Sequence, residues 1–196
     1  NPATGEVLET FEAATDAQIE EALAGADAVY REWRERSVQE RAAVVKRVAE
    51  IFIERKDELA RLIALEMGKS IAESIDEVEF AAQIIDYYAV YGPSLITDAE
   101  IPSTIPGKAI IEHLPVGALL GVMPWNFPYY QVARFAAPNL VLGNTILLKH
   151  ADVCARSALT IQEIMEEAGV PVGGYQNVFA SPDQIATTSA DSRPDA

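Results

Sequence analysis

Cysteine is almost absent from this chain: Cys154 is the only one, so no internal disulfide can form. Histidine is nearly as scarce, with His113 and His150 falling on different predicted elements. Neither sits with a Cys or acidic cluster at ligand spacing, so no metal site is expected. No run of eighteen apolar residues occurs, which argues against a membrane-spanning helix. The opening NPATGEVLETFEAATD lacks the basic and apolar regions of a secretory signal, and a cytoplasmic location is expected. Bases are few. Lys and Arg total 15 against 30 Asp and Glu, a net charge of −15, which disfavours contact with nucleic-acid phosphates. Residues 1–100 carry most of that charge, as expected of a solvated helical surface.

What is present is a globular balance, 49% hydrophobic and 23% charged, in 196 residues. Thr15 with Gln18, Ser37 with Glu40 and Ser70 with Glu73 match the capping-box pattern of helix starts. Ile19, Leu23, Ala26, Tyr30 and Trp33 follow the first box at helical spacing, and comparable stripes follow the others. Residues 15–91 therefore read as three amphipathic helices, the last stopping at Tyr91–Pro93. The character then changes. KAIIEHLPV and ALLGVM read as strands, Tyr129–Leu142 as a helix, and NTILLKH as a buried strand. CARSALTIQEIMEEAG forms a further helix and YQNVFA a last strand, so 117–180 has the β-α-β-α-β rhythm of an open parallel sheet.

Several residues invite chemistry. MGKS at 67–70 lacks the glycine that a phosphate loop needs where Ile63 stands, and reads as a helix break followed by a cap. Cys154 is either a nucleophile near a helix start or a small buried thiol, with no histidine beside it in sequence. Lys149 closes an apolar strand at the carboxyl end, where α/β folds bind ligands. There it can donate to ribose hydroxyls or phosphates, with Asp152 accepting; it can equally be a solvated strand end. Asn126, in PWNFP, offers a carboxamide donor for a developing oxyanion, or simply suits a turn.

PWNFPYYQVARFAAPNL followed by GNTILLKHA resembles the aldehyde dehydrogenase superfamily, most closely its bacterial succinate-semialdehyde dehydrogenases. NPATGEVL, LEMGK and PVGALLGVMPWNFP fit in the same order, so the likeness covers nearly the whole chain. The resemblance implies an α/β fold with an N-terminal helical part at 1–92, an oligomerisation arm at 93–116 and an incomplete Rossmann-like unit at 117–196. It implies oxidation of an aldehyde, succinate semialdehyde by this likeness, to the acid. NAD is the expected oxidant, with NADP possible, because the acid at Asp152 would repel a 2′-phosphate. By the same likeness Asn126 serves the oxyanion, while Trp125, Lys149, His150, Ala151 and Asp152 border the cofactor. Arg134 would bind the substrate's distal carboxylate and Tyr129 would line that pocket. A homo-oligomer is expected.

The chain also departs from the family. No glycine follows Gly174, and Cys154 comes too soon after Asn126 to match the family nucleophile, which lies much further on, as does the glutamate base. The 196 residues are thus expected to correspond to the N-terminal two-fifths of such an enzyme and to be inactive alone. The alternative is a non-enzymatic relative kept for assembly or weak nucleotide binding.

Overall fold

Thr15 and Ser37 start their helices by the same reciprocal device. Each hydroxyl accepts the backbone N–H three residues on, and the Gln18 or Glu40 side chain accepts the cap residue's own N–H, both at 2.8 Å. They open α1 (Asp16–Trp33) and α2 (Val38–Glu54) in the computed structural model, which describes residues 1–191. α3 (Lys56–Met67) ends on Gly68 in the left-handed conformation, and Ser70 then caps α4 (Ile71–Leu95). MGKS is therefore a helix stop joined to a helix start.

The first half holds four helices where the sequence predicts three. The chain leaves helical dihedrals at one residue, Arg55 (φ −99°, ψ 16°), which serves as C-cap of α2 and N-cap of α3. Its guanidinium pairs with Glu58 at 2.7 Å, so the break carries no glycine or proline to announce it. α4 also overruns the predicted stop at Tyr91–Pro93. Pro93 removes one N–H in the last turn, which is tolerated there. Gly92 has a packing role: a Cβ on it would lie 2.8 Å from Val141 Cγ1, so α4 meets the next helix at close range.

That helix is α5 (Pro128–Leu142), set between β3 (Ala118–Val122) and β4 (Thr145–Lys149). A short 3-10 turn at Asp152–Cys154 and α6 (Ala155–Ala168) lead to β5 (Tyr175–Asn177), and α7 (Pro182–Ser189) follows. The three strands form a parallel sheet in the order β3-β4-β5, with Ala118 opposite Thr145 and Ile146 opposite Tyr175. Alternate residues of the central strand go to opposite faces. Ile146 and Leu148 join the main core with Val48, Phe52, Ile85 and Leu140, whereas Leu147 packs with Ile19 and Leu23 of α1. The carboxyl end of α5 is held from α2: buried Arg41 donates to Val141 O at 2.9 Å and Leu142 O at 3.1 Å. Away from this body, the predicted arm contains a short antiparallel pair, β1 (Ala99–Ile101) and β2 (Ala109–Ile111), largely exposed on both faces.

Candidate active and cofactor site

The PWNFP loop leaves the carboxyl end of β3 and enters α5 through Pro128, where a missing N–H costs nothing. Phe127 caps the helix without a side-chain hydrogen bond. The first-turn N–H groups go instead to a carboxylate from α4: Glu77 Oε1 accepts from Tyr129 N at 2.9 Å and Tyr130 N at 3.3 Å. Glu77 is buried, and its other oxygen is met by the Lys69 ammonium. Lys69 Nζ donates also to Asn126 O at 3.0 Å and lies 4.0 Å from the Phe127 ring centroid. Further along, His150 Nε2 bonds Pro128 O at 3.1 Å and the Cys154 thiol approaches Trp125 O at 3.7 Å.

Apart from the Lys69 contact with the Phe127 ring, these tethers act on the backbone. Trp125 is 56% exposed and Asn126 is exposed, its carboxamide making no hydrogen bond among the described residues. An amide donor on a restrained loop can meet a developing oxyanion without first breaking another bond.

The expected cofactor residues divide in two. Lys149 ends β4 with its stem largely buried, and its Nζ donates to the exposed Asp152 carboxylate at 2.7 Å. His150 behaves differently from the sequence-based expectation. It is buried, with Nδ1 accepting the Ala151 N–H at 2.8 Å, so Nε2 carries the proton donated to Pro128 O. Burial holds its pKa below the ordinary histidine range, in favour of this neutral form. His150 and Ala151 thus bond each other and brace the loop. Beside Asp152 and Ala155 a groove of about 540 Å³ runs to Ala180, Ser181 and Pro182 beyond β5. The N-terminus of α6 offers no free anion site, because Glu66 accepts from Arg156 N at 2.6 Å and Ser157 N at 3.0 Å.

Arg134 lies one turn beyond Tyr130 on the exposed side of α5, and its Nη1 donates to the Tyr130 hydroxyl at 3.0 Å. The Tyr130 ring stacks on Phe80 of α4 (centroids 5.3 Å apart) and meets Phe127 edge-on at 5.7 Å. Phe80, Gln83, Tyr87, Tyr130 and Arg134 border a groove of about 480 Å³. Tyr129 takes no part in it. Its ring is fully buried against Phe52, and its hydroxyl donates to Ser157 Oγ at 3.3 Å. The tyrosine that lines this groove is its neighbour, Tyr130. Sequence reasoning also missed Phe80 and Tyr87, whose signal is their spacing on α4 off the buried stripe of Val78, Ala82 and Ile85. Cys154 is wholly buried, its thiol pushed up to about 12 by burial, which fits the structural alternative and not a nucleophile.

A parallel sheet under a helical layer, with PWNFP at one strand end and Lys149 at the next, defines the class. Residues 1–193 match the model of the aldehyde dehydrogenase family, and the chain belongs to that family. Several of its named relatives are succinate-semialdehyde dehydrogenases. It is 52% identical over 182 residues to the succinate-semialdehyde dehydrogenase [NADP(+)] of Deinococcus radiodurans, covering 91% of this chain and 37% of that protein. It is 39% identical to the succinate semialdehyde dehydrogenase [NAD(P)+] of Escherichia coli, covering 98% of this chain and 42% of that one. The crystal structure of succinic semialdehyde dehydrogenase from Streptococcus pyogenes with NADP+ superposes with a TM-score of 0.94 at 38% identity, over 97% of this chain and 42% of that chain. This chain spans about two-fifths of the length of these relatives. Among its described residues, no helix is long and apolar enough to cross a membrane.

Proposed function

We propose that this chain supplies the aldehyde-facing loop and part of the dinucleotide-binding side of an enzyme that oxidises succinate semialdehyde to succinate. The observation that carries the reading is the exposed Asn126 carboxamide on a loop tethered through its backbone, with a groove bordered by Tyr130 and Arg134 on the helix that follows. Asn126 donates to the aldehyde oxygen as negative charge develops on it. Arg134 takes the far carboxylate in a two-pronged contact, swinging from its Tyr130 hydrogen bond. The aromatic walls hold the carbon chain between them and exclude water.

The donor set at the strand ends fits a nicotinamide dinucleotide: Lys149 can donate to ribose hydroxyls, Asp152 can accept from one, and Trp125 offers an exposed flat face. When bound, that group accepts the hydride released from the aldehyde carbon. The preference for NAD expected from Asp152 is weakened by its pairing with Lys149, which offsets the charge that would repel a 2′-phosphate. Both NAD and NADP are therefore proposed as oxidants, and the names of the relatives support the latter. The isoleucines of the arm, Ile101, Ile105, Ile110 and Ile111, are exposed, which supports association between copies through that segment. The only cysteine is buried, so the 196 residues by themselves are proposed not to turn over aldehyde.

The test is reduction of NAD or NADP by succinate semialdehyde, followed by absorbance, in a protein of the relatives' length that contains this chain. Asn126→Ala should lower kcat on the order of a hundredfold. Arg134→Ala should raise KM for the semialdehyde and leave an uncharged aldehyde of similar length little changed. Equal effects on both substrates would remove the carboxylate role.

A further inference from the structure

Lys69 and Glu77 do more than pack. Their side chains are 10% and 1% exposed, a buried ion pair whose remaining bonds all go to one short segment. The ammonium takes the Asn126 carbonyl and covers the Phe127 ring, while the carboxylate takes the N–H groups of Tyr129 and Tyr130. Residues 126 to 130 are thus gripped at a carbonyl, a ring and two amides from one side. A buried pair is weak evidence for stability as such, since desolvation offsets its attraction. Its value here is geometric. The carbonyl of Asn126 is bonded directly, so rotation of the 126–127 peptide would break a bond to a buried cation. The same residue is exposed, and its carboxamide makes no hydrogen bond among the described residues.

We infer that the Lys69–Glu77 pair is a positioning device for the loop, fixing the backbone from which the Asn126 carboxamide is aimed; its catalytic meaning rests on the function proposed above. Neither residue touches the groove at Arg134, so both act through Asn126. First-turn N–H groups of a helix have no intrahelical acceptor, so slow hydrogen exchange at Tyr129 and Tyr130 would report Glu77 alone.

The experiment is amide hydrogen exchange on the 196-residue chain, resolved over residues 124–142. Lys69→Met should speed exchange at Tyr129 and Tyr130 about tenfold or more and leave residues 133–142 unchanged. Lys69→Arg, which keeps a charged donor, should restore most of the protection. Should Lys69→Met fail to fold, Glu77→Gln provides the same comparison. Unchanged exchange in the folded variant, or equal acceleration along all of α5, would overturn the inference. In the relatives-length protein, Lys69→Met should lower kcat, with Lys69→Arg recovering it and the KM for the dinucleotide unmoved. Failure of the oxyanion reading is told apart by Asn126→Ala: full turnover there removes that reading, while the exchange result still decides the clamp.

Discussion

Glu66 and Ser157 are joined twice: the carboxylate accepts the Ser157 hydroxyl at 2.6 Å and its backbone N–H at 3.0 Å, across 91 positions of sequence. A carboxylate from α3 thereby caps α6. Burial pushes the Glu66 pKa above the ordinary carboxyl range, although the bonds from Ser157 and Arg156 pull the other way. Between the unfolded value near ~4.3 and the raised folded value, the folded chain holds a proton that the unfolded chain has lost. The Glu66 contribution to stability is therefore largest at low pH and declines as pH rises through that window. Urea unfolding of the parent and Glu66→Gln at stepped pH should show the parent's relative stability falling with rising pH. The opposite slope would contradict the assignment.

His150 works in the other direction. Its folded pKa is depressed, chiefly by burial, so the unfolded chain takes up a proton first as pH falls below about 6.5. The stability linked to His150 is complete above that value and is lost progressively toward its lower folded pKa. An NMR titration of the ring should give a midpoint below 6.5, and His150→Gln should flatten the stability profile between pH 7 and 5. A midpoint above 6.5 would refute it.

Cys154 should be inert while the chain is folded. With the thiol near 12, the thiolate at pH 8 is about one part in ten thousand, against roughly a quarter for an ordinary cysteine. Labelling by iodoacetamide should be at least a hundredfold slower in buffer than in denaturant. Comparable rates would place the thiol at the surface.

Arg41 bonds the last two carbonyls of α5, Val141 O and Leu142 O, while Trp33 Nε1 donates to Leu140 O at 3.0 Å. Arg41 also reaches Arg34 O at 3.1 Å and Arg36 O. Arg41→Met leaves these carbonyls without that donor and should cost about 3 kcal/mol in urea unfolding. Arg41→Lys, with a single ammonium in place of a planar fork, should cost roughly half as much. A loss below ~0.5 kcal/mol for the methionine variant would show that water replaces the bonds.

The parallel sheet was legible because its central strand is a short apolar run between helix-period segments, with caps marking the joints. Arg55 was not legible: a break made by one ordinary residue leaves no mark in composition. Tyr129 and Tyr130 show a finer limit. Adjacent helical residues point about 100° apart, and the phase was present in the sequence: Tyr129 shares its face with buried Val132, Ala133 and Ala136. Glu77 also left a trace, an acid on the apolar stripe with Val78, Ala81 and Ile85. Its partner could not be read, because the bonds it makes connect residues 52 and 53 positions apart. The proposed chemistry was suggested by the PWNFP and LLKHA resemblance and not by spacing.

Both ends of α5 are gripped by charges from other helices, a carboxylate at the amino end and a guanidinium at the carboxyl end, each matched to the helix dipole. Sliding the helix along its axis would break both sets of bonds together. On the proposed function, that makes α5 a ruler. From Pro128 to Arg134 is six residues, about 9 Å of helix, and a clamped helix cannot stretch or shorten it. A semialdehyde acid of another chain length would then have to be met by movement of the Arg134 side chain alone, since the backbone that carries it is held from both ends.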